Sequence, residues 1–283
     1  MSVKVTAFAV LAAGFWLAGT ATAEECGGSG TEGITVTEAG GSYLCRPNEP
    51  GLFPGVLYSH GGLGPVVGGD LQGTCEALAR AGYIAFAKLR QDPMGKTIPD
   101  HLQDVEDAFD FLLDQTDVDT NRIGVIGYSR GGALTYAIAE TRATSIHASV
   151  LLAPAPAGAF FAIRTADVSP LIAPMMVAVT SNDIYQADHV QIAEDLVQAL
   201  VDEGKDHIYF PYPAYPNEEC VGCDGHEVFQ VVDDEFTDYW CDIEDFLAAN
   251  LAGSVALPAL GPPALATAAA LSPKARCHHA AKQ

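Results

Sequence analysis

Basic residues are scarce in this chain: 14 lysines and arginines stand against 36 aspartates and glutamates in 283 residues, a net charge of −22. A field of that sign repels nucleic-acid phosphates and anionic lipid headgroups, so no nucleic-acid partner is expected. Long apolar runs are also missing after the N-terminus, and nothing beyond residue 23 reads as a bilayer-spanning helix. The early run, Val5 to Ala21, follows a single Lys4 and ends in Ala21-Thr22-Ala23 before Glu24-Glu25. That pattern predicts a secretory signal peptide over residues 1–23, with no membrane attachment after cleavage; an anchor would be followed by basic residues. No cysteine stands at the cleavage point to carry a lipid. A secreted or periplasmic address follows.

Cysteine is present in an odd number, seven, which in an exported chain implies disulfides and at least one leftover thiol if all pairs are internal. Cys26 with Cys45, flanking an N-terminal hairpin, and Cys220 with Cys223, in the loop before His226, are the natural local pairs. Cys75 falls in a helix, Cys241 in the last helix, where it can also reach the 220–223 loop, and Cys277 in the tail.

The apolar fraction, 49%, suffices for one large core, predicted over residues 24–251. Residues 252–283 are Ala/Pro/Leu-rich without helical periodicity and read as a loosely ordered tail. Within it, Cys277-His278-His279 reads as incidental, and no metal site is expected. A leading hairpin (Ile34–Val36, Tyr43–Cys45) is followed by strands at Gly55–Ser59, Tyr83–Leu89, Ile123–Ile126, Ala148–Ala153, Met175–Thr180 and His207–Phe210. Helical patterns lie between them, the clearest being Leu102, Val105, Phe109, Leu112 and Leu113 on one face of residues 100–115. Strands alternating with helices predict an α/β fold: a mainly parallel, doubly wound sheet with helices on both faces and ligands at the carboxyl ends of the strands. Only a short connection, residues 154–169, is available as a lid.

The stretch that carries chemistry is Gly127-Tyr128-Ser129-Arg130-Gly131. It joins the short β-branched strand Ile123–Ile126 to a small-residue helix, the context in which a strained turn projects a nucleophilic serine above a sheet. A serine hydroxyl needs a base, and the base needs a carboxylate to orient it. Asp183 follows a later strand and His226 lies in the loop after the last one, giving the chain order Ser, Asp, His. Asp188 is the alternative acid and sits further into the next helix; His60 is the alternative base and begins the glycine turn His60-Gly61-Gly62. Oxyanion donors are expected from the backbone N–H of Arg130 and from that turn, with Gly62 preferred to Gly61. Phe160, Phe161 and Tyr185 are candidate apolar walls.

The stretches PGVLYSHGGLG (54–64), AGYIAFAKLRQDPMG (81–95), VDTNRIGVIGYSRGG (118–132) and DGHEVFQ (224–230) together resemble the α/β-hydrolase superfamily, and within it the dienelactone hydrolase-like branch. The resemblance implies an ester or lactone hydrolase with Ser129 as nucleophile, Asp183 as acid and His226 as base, acting on a small-molecule ester without metal or organic cofactor. It also places Arg90 where the branch holds a substrate carboxylate, the alternative being a surface or salt-bridged arginine. Three positions depart from the branch: Ser129 stands for a cysteine, Gly61 for an acidic residue and Gln230 for a second clamping arginine. Dienelactone itself is therefore not the expected substrate. A peptidase or a polymer esterase on the same scaffold, and a binding protein without activity, are the rival readings.

Overall fold

The computed structural model describes residues 32–62, 68–90, 97–215, 225–232 and 237–252. The proposed signal peptide, Cys26, Cys220, Cys223, Cys277 and the proposed tail from residue 253 lie outside the described residues.

Eight strands form one sheet: β1 Ile34–Ala39, β2 Ser42–Pro47, β3 Phe53–Ser59, β4 Ile84–Lys88, β5 Val118–Tyr128, β6 Ala148–Leu152, β7 Met175–Thr180 and β8 His207–Tyr212, in the order β1-β2-β4-β3-β5-β6-β7-β8. The leading hairpin pairs antiparallel and β2 pairs antiparallel with β4; every later neighbour is parallel. The central strands are buried along almost their full length, as expected of a parallel sheet covered on both faces. Strand β5 begins at Val118, five residues before its apolar run, because Val118-Asp119 pairs with Phe53-Pro54 ahead of a register shift at Pro54/Gly55.

Chain reversal at β3 decides which helix lies where. From β3 the chain moves outward to β4 through α1 (Leu71–Arg80), then returns across β3 to β5 through α2 (Ile98–Leu113). Right-handed crossovers running in opposite directions put their helices on opposite faces. Accordingly α1 packs in one core with Val56, Tyr58 and Ile126, and α2 in the other with Leu57, Ile123 and Val125. The next crossovers, α3 (Arg130–Thr141) and α5 (His189–Asp202), continue in the direction of α2 and share its face, while α6 (Tyr239–Leu251) returns to cover the face of α1. The short α4 (Phe160–Thr165) lies in the connection that the sequence suggested as a lid.

Helix α2 starts at Ile98 rather than at Asp100. Thr97 and Asp100 exchange hydrogen bonds as a capping box and Pro99 occupies the first turn, two start signals that precede the apolar stripe. The cysteine pairing also departs from expectation: Cys45 is joined to Cys75, linking β2 to α1, so the local pair Cys26–Cys45 is wrong. Cys45 points into the core face that α1 covers, and this places its sulfur beside a helix thirty residues away instead of beside its neighbour in sequence. Cys241 is also disulfide-bonded. No helix among the described residues is long and apolar enough to cross a membrane.

Candidate active site

Strand order reverses between β3 and β5, and in open α/β sheets ligands bind at the carboxyl edge beside such a reversal. Ser129 stands at the end of β5 with φ 53° and ψ −119°, a conformation that costs a non-glycine residue roughly 1–3 kcal/mol and is kept only where the surroundings enforce it. The glycines of the motif are what permit the turn. A Cβ on Gly127 would collide with the Gly131 carbonyl and Thr135, and one on Gly131 with the Ser59 and His60 carbonyls. Helix α3 therefore starts almost in contact with β3 and β5, and Ser129 is lifted over their ends.

The structure brings the three sequence-predicted side chains together. Ser129 Oγ lies 2.9 Å from His226 Nε2, and His226 Nδ1 lies 2.8 and 3.0 Å from the two carboxylate oxygens of Asp183. All three are buried. With a carboxylate at Nδ1, that nitrogen carries the ring proton and Nε2 presents a lone pair to the serine hydroxyl, the arrangement a general base requires. Asp188, the alternative acid, instead caps α5 by accepting from Gln191 N–H.

His226 is delivered by a short 3₁₀ segment, His226–Gln230, preceded by Gly225 at φ 65°. A side chain at 225 would run into Thr180 and Asn182, which is how the loop comes close enough to β7 for the Asp183 contact. Two further residues that hold the imidazole escaped the sequence reading. Tyr128 donates from its hydroxyl to the His226 carbonyl at 2.7 Å, and its position in Gly-Tyr-Ser-Arg-Gly was the available clue. His189 packs its ring against that of His226; its spacing of six from Asp183 is ordinary for a helix start, and only the fold makes it a neighbour.

Gly61 N–H is taken by the Gly68 carbonyl at 2.7 Å. Gly62 N–H has no acceptor among the described residues, and neither has Arg130 N–H, the first of α3, where helix geometry leaves amides free. Those are the two amides expected as oxyanion donors, and Gly61 is removed from contention. His60, the alternative base, donates from Nδ1 to the Gly61 carbonyl and accepts the Arg90 N–H at Nε2. Burial and the adjacent Arg90 push it down to about 3, so it is neutral, fully engaged and unfit as a base.

The substrate-binding expectations fare unevenly. The Tyr185 ring stacks on the His226 imidazole at 5.2 Å and remains partly exposed. Phe160 packs on the α2 side of the core under the Arg164 guanidinium, and no contact with the serine or histidine is among those described; Phe161 is buried against Tyr136. Arg90 is a correction. It is 2% exposed, with its guanidinium directed at the carbonyls of His60, Gly61 and Gly62, so it has no surface to offer a substrate carboxylate. Position in sequence gave no sign that the side chain turns under the glycine loop.

Asp183, His189 and His226 are the one His/Cys/Asp/Glu group of metal-binding proximity among the described residues. Two of them are already committed to the hydrogen-bonded chain to Ser129. The His189 nitrogens face the Pro154 and Tyr185 carbonyls.

Comparison with known proteins agrees with the fold. A family described as "BAAT / Acyl-CoA thioester hydrolase C terminal" matches residues 101–215, a range that contains Ser129 and Asp183 but stops short of His226. Mitochondrial acyl-coenzyme A thioesterase 2 of Mus musculus is 35% identical over 115 residues, 38% of this chain and 24% of that protein. An uncharacterized peptidase of Bacillus subtilis is 35% identical over 96 residues, 32% of this chain and 37% of its own. The chain thus spans about a quarter of the length of the thioesterases it matches. Among solved structures, esterase B from Lactobacillus rhamnosis superposes with a TM-score of 0.59 at 14% identity, covering 77% of this chain and 86% of that one. A putative dienelactone hydrolase from Klebsiella pneumoniae gives 0.55 at 17% identity, covering 76% and 98%.

Proposed function

We propose that this chain, which has the α/β-hydrolase fold, hydrolyses small carboxylic esters, thioesters included, through an acyl-enzyme formed on Ser129. One observation carries the reading: the unbroken hydrogen-bonded chain from Ser129 Oγ through the His226 imidazole to Asp183.

In the proposed reaction Ser129 Oγ attacks the ester carbonyl while His226 Nε2 takes its proton. Asp183 holds the imidazole in place and stabilises the cation that forms. The negative charge developing on the carbonyl oxygen is received by the Gly62 and Arg130 amides, preorganised donors that need no rearrangement at the moment of reaction. Imidazolium returns the proton to the departing alcohol or thiol. A water, deprotonated by the same ring, then releases the acid and regenerates Ser129. Tyr185, stacked on one face of the imidazole, is proposed as an apolar wall for the substrate.

Export to an oxidising compartment is part of the same proposal: residues 1–23 have the signal-peptide pattern, and the Cys45–Cys75 bond joins two core elements. The names of the relatives extend the range of bonds to be tried to thioesters.

A fluorophosphonate probe tests the reading. Stoichiometric labelling at Ser129, turnover of p-nitrophenyl acetate or an acyl thioester, and loss of both in a folded Ser129→Ala variant are expected. Absence of labelling in the native chain would remove the enzyme reading and leave a binding protein on a hydrolase scaffold. A panel of oxygen esters, thioesters and peptide amides then ranks the bonds attacked.

A further inference from the structure

Among the described residues Arg90 is the only buried lysine or arginine, and no carboxylate among them pairs with it. Burying an unpaired guanidinium is unfavourable, and it lies near a second cation, Arg130, whose field is felt at Arg90. What the guanidinium receives in return is three main-chain carbonyls. Nη1 donates to His60 O at 2.5 Å, and Nη2 donates to Gly61 O and Gly62 O at 3.3 Å each. The backbone N–H of the same residue donates to His60 Nε2 at 3.1 Å. One residue at the end of β4 thus fastens the whole turn at the end of β3.

The consequence follows from peptide planarity. In a trans peptide unit the C=O and N–H point in opposite directions, so fixing an oxygen aims the amide that shares its plane. The Gly61 oxygen shares a plane with the Gly62 N–H. That oxygen receives donors from His60 Nδ1, Gly68 N–H and Arg90 Nη2, all of which hold it away from the direction its partner amide must take. Gly62 has φ 77°, a conformation glycine adopts with little penalty, so its own backbone preference would not keep the amide aimed. Burial and Arg130 push the Arg90 guanidinium down to about 9, and it keeps its charge at neutral pH.

We propose that Arg90 is a positioning residue for the oxyanion hole: by gripping the carbonyls of residues 60–62 it aims the Gly62 amide at the carbonyl oxygen of the substrate bound at Ser129. The role rests on the esterase reading above. It also replaces the carboxylate clamp implied by the position of Arg90, and the two make opposite demands: a clamp acts on charged substrates through binding, whereas a positioned amide acts on every ester through the transition state.

The test compares the native chain with Arg90→Gln and Arg90→Lys on two p-nitrophenyl esters of equal length, one neutral and one with a terminal carboxylate, with thermal melting as a check of folding. Both variants should lose roughly 10- to 100-fold in kcat on both esters, a fraction of what removal of an oxyanion donor brings, with KM changed less than about threefold. Arg90→Lys should recover part of the loss, since an ammonium reaches one carbonyl but not three. Methylguanidinium added to Arg90→Ala should restore part of kcat, a readout that loss of packing alone would not give. Unchanged kcat in folded variants, or a loss confined to KM for the carboxylated ester, overturns the proposal while the native activity stands. Failure of every variant to fold assigns Arg90 to stability and overturns it as well. A native chain that turns over neither ester and takes no fluorophosphonate overturns the esterase reading itself.

Discussion

The His189 imidazole lies against that of His226, ring centroids 4.4 Å apart and planes tilted by 40°, with both side chains buried. A proton on His189 would set a cation beside the ring that must accept the serine proton. Burial, the largest influence on His189, lowers its affinity for a proton, which keeps it neutral where His226 does its work.

The same physics makes the fold acid-sensitive. His60 is pushed down to about 3 and His189 is lowered too, while both take ordinary values near 6.5 when unfolded. The unfolded chain therefore binds more protons below about pH 6.5, and stability falls as pH drops through that value toward the folded values. For His60 the expected loss by pH 5 is about 2 kcal/mol. Urea midpoints measured at pH 7 and pH 5 check it, and His60→Asn should show a smaller difference between the two.

Ser129 holds a positive φ for the sake of its hydroxyl. Ser129→Ala removes the hydroxyl but keeps the Cβ and the strain, whereas Ser129→Gly removes both. Both variants should lose at least about a thousandfold in kcat, and the glycine variant should be about 1 kcal/mol more stable than the alanine variant, against the usual cost of added glycine flexibility. Paired thermal melts decide; a glycine variant that melts lower would show that the turn stores no strain.

Gly225→Ala introduces a side chain where φ is 65° and where Thr180 and Asn182 stand in the way. The His226 segment must shift, and a displacement of about 1 Å lowers kcat on the order of 100-fold. KM should change little, because the Tyr185 wall and the Gly62 turn belong to other segments. Steady-state kinetics on a neutral ester separates the two parameters.

Cys45–Cys75 closes a loop of thirty residues, which restricts the unfolded chain by about 3–4 kcal/mol. Cys75→Ala should lower stability by about that amount, read from denaturant midpoints with m-values compared. Activity below the new melting temperature should survive, since neither cysteine touches Ser129 or its partners.

Much of the architecture was legible because local chemistry and tertiary need coincide. Met175–Thr180 is apolar at every position but the last and forms a strand over those residues. Ile123–Ile126 ends in Gly-Tyr-Ser-Arg-Gly, and no other use of those glycines fits a helix that starts this close to its strand. What was misread involved partners far apart in sequence. Sequence proximity pairs Cys45 with Cys26, whereas the fold bonds it to Cys75 on α1. Arg90, which its position offers to a substrate or to the surface, binds the main chain instead.

From residue types and spacing alone came the alternation of strand and helix, the elbow, and the order in which Ser129, Asp183 and His226 occur. These are one-dimensional patterns, written by hydrophobic period and by the backbone demands of a tight turn, and they need no knowledge of distant contacts. Which amide is left free, which histidine is walled in and where a buried guanidinium points were decided only when β3, β4, β5 and β7 came side by side. Hydrogen-bond partners and burial are properties of neighbours in space, and the folded sheet alone brings residues 60, 90, 129, 183 and 226 to one edge.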